Sequence, residues 1–297
     1  MPLGDITKIR REHSPEAISS ILIPTWNNLP FLQLCIHSIR KNSGLKHQVI
    51  VHVNEGNDGT LDWLKSQPDI SYTHSAENIG VCYALNAARG LVSTAYIIYL
   101  NDDMYVCPGW DTELFREIKE IGHHRFFLSA TSIEPVPQSN CSIKGDYGRN
   151  IDSFKEEELL ENFARLEMAD WTGATWPPNI VHVDTWDLVG GYSIEFSPGM
   201  YSDPDFSMKL WHAGIRLFKG IAKSRAYHFG SITTKRVVRN RGYFQFIAKW
   251  GFTSSTASEY YLRRGEPYTG LLPEATIPGN IGWKNMLKRL DLVFRKF

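Results

Sequence analysis

The chain has little cysteine, no excess of charge of either sign and no long apolar run, and each shortage narrows what it can be. Its four cysteines, Cys35, Cys82, Cys107 and Cys141, stand far apart in 297 residues. None belongs to a Cys-x-x-Cys pair or a Cys/His cluster, which argues against a zinc site. Basic and acidic residues both number 32, so the formal net charge is zero. No global basic field is present to hold nucleic acid. No apolar run approaches the length of a membrane-spanning helix. Met1 to Ser20 is charged and has no apolar centre, unlike a signal peptide. No internal repeat or low-complexity tract stands out. A soluble protein in a reducing, cytoplasmic compartment is expected.

What is there describes an ordinary globular core. Hydrophobic residues make up 42% and charged residues 22% of the chain. The length suits one large domain, or one domain with a small appendage. Aromatic content is 12%, with nine tryptophans concentrated in the second half. Core filling is their default role, and a ligand site built from flat rings is the alternative.

Apolar patterning in the first half alternates strand and helix. Short strands are expected at Ser20 to Pro24, Gln48 to Val53, Ile70 to His74, Tyr96 to Leu100 and Phe126 to Ala130. Between them lie helical patterns at Leu29 to Lys41, Thr60 to Gln67, Val81 to Arg89 and Trp110 to Ile121. Asn28 is placed to cap the first helix, with Pro30 in its first turn, and Gly90 closes the third. This βαβ alternation predicts a mostly parallel central sheet with helices on both faces. Residues 134–150 read as a loop, 153–168 as an amphipathic helix and 203–214 as a helix with an acidic start. Trp283 to Phe297 interleaves apolar and basic residues at helical spacing. Such a helix either docks on the domain with its basic face in water or lies on an anionic membrane surface.

The most informative stretch is Tyr96-Ile-Ile-Tyr-Leu-Asn-Asp-Asp-Met104. A buried parallel strand that ends in acids delivers them to the carboxyl edge of the sheet, where open α/β folds bind ligands. Two hard carboxylates there suit Mg²⁺ or Mn²⁺ shared with a diphosphate. Alone, Asn-Asp-Asp is also an ordinary turn. However, polar groups follow every neighbouring strand: Thr25-Trp26-Asn27, Asn54 to Gly59, and Glu77-Asn78. Four polar strand ends along one edge describe a crevice.

In these motifs the chain resembles family-2 glycosyltransferases of the GT-A fold. The resemblance rests on Ser20-Ile-Leu-Ile-Pro-Thr-Trp-Asn27, Val53-Asn-Glu-Gly-Asn-Asp-Gly-Thr60 and Asn78-Ile-Gly-Val-Cys-Tyr-Ala-Leu-Asn86. It continues through Asn101-Asp-Asp103, Val189-Gly-Gly-Tyr192 and Ser202-Asp-Pro-Asp-Phe-Ser-Met-Lys-Leu210. It covers about residues 18–235, divided into a nucleotide-binding half at 18–103 and a metal and acceptor half at 104–235. Residues 1–17 are then an N-terminal extension and 236–297 a helical tail.

The resemblance implies an inverting, metal-dependent transferase of hexosyl or deoxyhexosyl groups. The donor would be a nucleotide-diphosphate sugar, and the acceptor a glycan or lipid-linked saccharide in surface polysaccharide assembly. Pro24, Thr25, Trp26, Glu55, Asn78 and Asp102 would meet the nucleotide-sugar, with Trp26 stacking on the base. Asn54-Glu55 replaces the family's usual Asp-Asp, which leaves the base open. Asp103 and His228 would ligate Mn²⁺ or Mg²⁺. Asp203 would be the general base, with Asp205 as its competitor and helix capping as its bland alternative. Its place at a helix start is expected to keep it ionised. Trp171 and Trp176, with Trp186, are candidates for an acceptor platform or for core packing, and Asp205 is a further candidate acceptor contact. Peripheral contact with the inner face of a membrane would use residues 283–297.

Two rival functions remain. A nucleotidyltransferase would show a glycine-rich phosphate loop with a basic residue near the start, and Ile21 to Asn28 has none. A non-catalytic carbohydrate-binding or scaffold protein on the same fold would have lost its acids, yet Asp102, Asp103 and Asp203 are all present.

Overall fold

Alternation along the strands divides the core into two layers, one on each face of a sheet. The computed structural model describes residues 5–137, 139–230 and 241–294. The chain opens with β1 (Thr7–Ile9), β2 (Ser19–Trp26), α1 (Leu29–Asn42), β3 (His47–Asn54), α2 (Thr60–Lys65), β4 (Ile70–Ser75), α3 (Gly80–Arg89) and β5 (Tyr96–Tyr99). Ile21, Ile23, Val51 and Ile98 face α1 and the later helix α4, while Leu22, Ile50, Ile97 and Tyr99 face α3. Period-two alternation on fully buried strands is what a sheet covered on both sides requires.

After β5 come β6 (Met104–Val106), α4 (Trp110–Ile121), β7 (Phe126–Glu134), β8 (Ser142–Lys144), α5 (Glu156–Asn162), β9 (Trp171–Thr172), β10 (Asn179–His182), α6 (Val183–Val189), α7 (Ser202–His212) and β11 (Leu217–His228). Then follow α8 (Gly242–Trp250), α9 (Ser254–Thr256) and α10 (Gly279–Phe294). The sheet order is β1-β4-β3-β2-β5-β10-β7-β11-β6, with β8 beside β7 and β9 beside β11. Strands β2 to β5 pair in parallel. The insertion of β10, antiparallel to both β5 and β7, makes the second half mixed.

Several elements depart from the pattern-based expectation. The amphipathic stretch 153–168 is helical only over Glu156–Asn162, followed by one tight turn at Phe163–Arg165. The segment expected as loop contains β8, and β7 runs four residues beyond Ala130. Residues 1–17 hold β1, the antiparallel edge strand beside β4. Asn28 makes no side-chain cap; the Asp58 carboxylate accepts from Leu29 N at 2.7 Å instead. The boundary placed at 235 and the basic residues Arg295 and Lys296 lie outside the described residues.

Buried Asp111 ties the two sides of the sheet's amino edge together. Its carboxylate accepts from Gly44 N, Leu45 N and His47 Nε2 at 3.0, 2.8 and 2.9 Å. These bonds outweigh the cost of burial and draw the Asp111 carboxyl below its ordinary value.

Helix α10 docks on the domain through Asn285, bonded to Thr256 Oγ1 at 3.2 Å, and through buried Leu292. As expected, its basic residues Lys284, Lys288 and Arg289 are exposed, but an apolar stripe is turned outward with them. Trp283, Met286, Leu287 and Leu290 are 60, 41, 47 and 49% exposed. Their spacing of three and four puts them on one stripe that faces away from the core. No helix among the described residues is long and apolar enough to cross a membrane.

Candidate functional site

The carboxyl ends of β2, β3 and β5 converge where the chain reverses from one side of the sheet to the other. A cleft of about 1130 Å³ opens there, lined by Thr25, Trp26, Asn54, Asn101, Asp102 and Asp103 from those ends. Such a switch point cannot be filled by the strands' own crossover helices, so it is left as a crevice. Asn78, Tyr201, Ser202, Asp203, Trp176 and His228 line the same cleft.

At the ends of β2 and β5, Thr25 Oγ1 donates to Asp102 Oδ2 at 2.6 Å, and Asp102 is 5% exposed. Asn54, which departs from the family pattern, braces this wall. Its amide donates to Thr25 O at 3.2 Å, and its carbonyl accepts from Ile79 N at 2.8 Å. Asn78 Oδ1 accepts from Gly80 N at 2.9 Å as α3 begins. Gly80 has φ +78°, and a Cβ there would lie 2.4 Å from Pro198 Cα. Only glycine tolerates that approach, which seats the 197–199 loop on the start of α3.

Glu55 does not reach the cleft. Its backbone is left-handed, with φ 62°, and its carboxylate accepts from Asn27 Nδ2 at 2.8 Å. The carboxylate therefore fixes the loop after β3 to the loop after β2.

Three side chains gather at the acidic centre. Asp103 Oδ1 lies 3.5 Å from His228 Nε2, and Glu134 Oε1 lies 3.0 Å from His228 Nδ1. The sequence did not single out Glu134, because β7 reads as ending earlier. Burial alone would lower the His228 pKa, but the charges of Asp103 and Glu134 outweigh it and raise it to about 10. His228 Nε2 is buried and makes no hydrogen bond.

An unsatisfied imidazole nitrogen facing a carboxylate oxygen fits a shared divalent cation. Two ligands about 2.1 Å from one ion sit roughly 3–4 Å apart. Among the described residues, no group of three or more His, Cys, Asp or Glu is placed to hold an ion. A Mg²⁺- or Mn²⁺-type site of two protein ligands would be completed by diphosphate oxygens and water.

Across the cleft, Asp203 sits in the first turn of α7, after Tyr201 in left-handed geometry at φ 72°. It makes no capping bond; Tyr192 Oη donates to Asp203 Oδ1 at 3.2 Å. Burial pushes the Asp203 carboxyl up to about 7, against the pull of the Tyr192 hydroxyl and the charge of Arg264. The helix start therefore does not hold it fully ionised; burial prevails and poises it near neutrality.

Asp205, the competing acid, is withdrawn from the cleft. It is fully buried, accepting from Trp250 Nε1 at 2.9 Å and pairing with Lys249 Nζ at 2.8 Å. Two positions along a helix point in different directions, and here one faces the cleft while the other anchors α8. The tryptophans divide in the same way. Trp171 is 3% exposed, packed over Gly220, and donates to Thr131 Oγ1 at 2.9 Å, so it is a wall of the cleft and no open platform. Trp186 belongs to the core with Tyr192 and Phe206. Trp176 is 36% exposed at the cleft, with the Arg264 guanidinium 4.8 Å above its ring.

Residues 20–140 match the family described as glycosyl transferase family 2. The fold is similar to that of S. aureus TarS (residues 1–349), with TM-score 0.56 and 13% identity over 93% of this chain and 72% of that one. That TarS segment has also been solved in complex with UDP, at TM-score 0.56 and 12% identity, over 93% of this chain and 72% of that one. GalNAc-T7 with UDP, GalNAc and Mn²⁺ matches at TM-score 0.54 and 15% identity, over 83% of this chain and 48% of that one. No curated protein matches by sequence. Residues 20–140 thus resemble family-2 glycosyltransferases, and the fold is of the GT-A type.

Proposed function

We propose that this chain, with its family-2-like region and GT-A fold, is an inverting glycosyltransferase that takes a sugar from a nucleotide-diphosphate donor. The observation that carries the proposal is the single cleft shared by Asp102, Asp103, His228 and Asp203. Thr25, Trp26, Asn54 and Asn78 offer an aromatic face and amide groups to a nucleoside. A uracil nucleotide is the first donor to try, because similar folds have been solved with UDP.

Asp103 and His228 would hold Mn²⁺ or Mg²⁺, with Glu134 orienting the imidazole from behind. When bound, the cation would offset charge on the departing diphosphate. Asp203 would accept the proton of the acceptor hydroxyl as that oxygen bonds to the anomeric carbon. The bond from that carbon to the diphosphate oxygen breaks, and the nucleoside diphosphate leaves with the electron pair. Attack from the side opposite the leaving group inverts the configuration. A base near pH 7 in its affinity for protons suits this role, and Tyr192 keeps its carboxylate aimed.

The acceptor is a hydroxyl of a glycan or lipid-linked saccharide, in keeping with surface polysaccharide assembly. The outward apolar stripe of α10, flanked by Lys284 and Lys288, supports contact with an anionic inner membrane face where a lipid-linked acceptor resides.

A thermal-shift screen of UDP-, GDP- and dTDP-sugars, each with Mn²⁺ and with EDTA, tests the donor assignment. One nucleotide class should raise Tm by several degrees, more with Mn²⁺ than with EDTA. Equal, zero shifts for all donors would remove the nucleotide-sugar reading and favour a scaffold.

A further inference from the structure

Arg264 comes from a part of the chain that its sequence pattern leaves as a plain tail. It follows α9 and the wide helical turn Ala257–Tyr261, and Arg264 N is fixed to Ser258 O at 2.9 Å. Its neighbour Arg263 adopts φ 47°, a left-handed turn that brings the next side chain back toward the domain. There Arg264 lines the cleft with Ser254, Ser255 and Ser258.

The environment of this cation is unusual. Its guanidinium lies over Trp176 but makes no hydrogen bond or ion pair among the described residues. Burial lowers its pKa, opposed by the charges of Cys141 and Asp203. Buried cations elsewhere in the chain have hydrogen-bond or ion-pair partners; Lys209 Nζ donates to Gly191 O at 2.6 Å. Lys219, for example, lies 2.7 Å from Glu117 and 3.0 Å from Asp170. A half-sequestered guanidinium with five donors and no acceptor carries a desolvation cost that an incoming anion would relieve.

The hydroxyls of Ser254, Ser255 and Ser258 on the same cleft add neutral donors, and the ring of Trp176 lies against the guanidinium. The charges of Arg264 and Asp203 act on each other, which places this wall near the candidate base.

We propose that Arg264, with Ser254, Ser255 and Ser258, forms an anion subsite that receives a phosphate or carboxylate carried by the acceptor. The subsite lets the acceptor's charge set which hydroxyl meets Asp203. It therefore fixes the acceptor as an acidic saccharide or sugar phosphate. This rests on the transferase reading of the cleft and narrows it to one acceptor class.

The test uses calorimetric titration of the full chain with Mn²⁺, first with UDP, then with sn-glycerol 3-phosphate and with glycerol on the UDP-loaded protein. Wild type should bind glycerol phosphate and not glycerol. Arg264→Gln should weaken glycerol phosphate binding about tenfold or more, with UDP affinity changed less than about twofold. Arg264→Lys should recover part of the loss, since a point charge replaces a fork. Unchanged melting temperatures show that the variants fold. A loss of UDP affinity in Arg264→Gln would mean that the cation serves the donor diphosphate and overturn the proposal. So would wild type binding glycerol phosphate no better than glycerol. Failure of wild type to bind UDP would instead count against the donor assignment, and the glycerol phosphate arm can be run without UDP.

Discussion

Asp203 is where a single residue decides most. A carboxyl whose ordinary value of 3.8 rises to about 7 on folding binds its proton more tightly in the folded state. The ionised form is therefore the one that folding disfavours. Its stabilising contribution is complete below pH 4 and is lost as pH rises through 7. Activity has the opposite slope, because a base must be unprotonated. Thus kcat/KM should climb to a plateau with a break near pH 7. Asp203→Asn should cut kcat by roughly 10²–10⁴-fold and leave donor affinity unchanged. The same variant should melt about 2–4 °C higher than wild type at pH 8, since it removes a buried charge. A helix cap would give the reverse, a lower melting temperature. Glu134→Gln addresses the imidazole from behind. The Mn²⁺ concentration for half-maximal activity should rise about tenfold, measured by titrating the metal into EDTA-stripped protein.

At the scale of elements, the critical contacts are where loops meet helix starts. Gly80→Ala would drive a methyl into Pro198 and impose a left-handed conformation on alanine. A loss of about 1–3 kcal/mol is expected by urea denaturation, with weaker donor binding because the 197–199 loop shifts. Asp111→Ala leaves two backbone N–H groups and His47 without their acceptor. That should cost about 2–4 kcal/mol by the same measurement, with no direct effect on the cleft.

The first half was legible because its strands are short apolar runs and its helices carry clean 3.6-residue spacing; Trp110–Ile121 matches residue for residue. The acids after β5 could be placed because a parallel strand end has one destination. The second half was less legible. Strands β9 and β10 have two and four residues, too few for a period to show. The segment 153–168 carried leucines at helical spacing, yet only Leu159 is buried within α5, so packing does not sustain the helix further. Glu134 and Arg264 reach the cleft through tertiary placement, and nothing local in the sequence marks either one.

Across the whole molecule, the sheet makes the cleft, and α7 with the segment from α9 to Arg264 closes it. One wall comes from the ends of β2, β3 and β5, and the opposite wall from α7 and the segment after α9. The outward stripe of α10 belongs to the same account, because it would set the cleft against a surface that carries lipid-linked substrate. Replacing Trp283 and Leu287 together with glutamate should reduce flotation with anionic vesicles about tenfold and leave turnover of water-soluble substrates unchanged. Equal flotation of both proteins would remove the membrane role from α10 without touching the cleft.

The most direct measurement is release of nucleoside diphosphate from a UDP-sugar by wild type, Asp103→Ala and Asp203→Asn, each with Mn²⁺ and with EDTA. The account predicts metal-dependent release by wild type, none above background from Asp103→Ala, and donor binding without appreciable turnover in Asp203→Asn. Undiminished release by either variant, or release by wild type that EDTA leaves untouched, would contradict it.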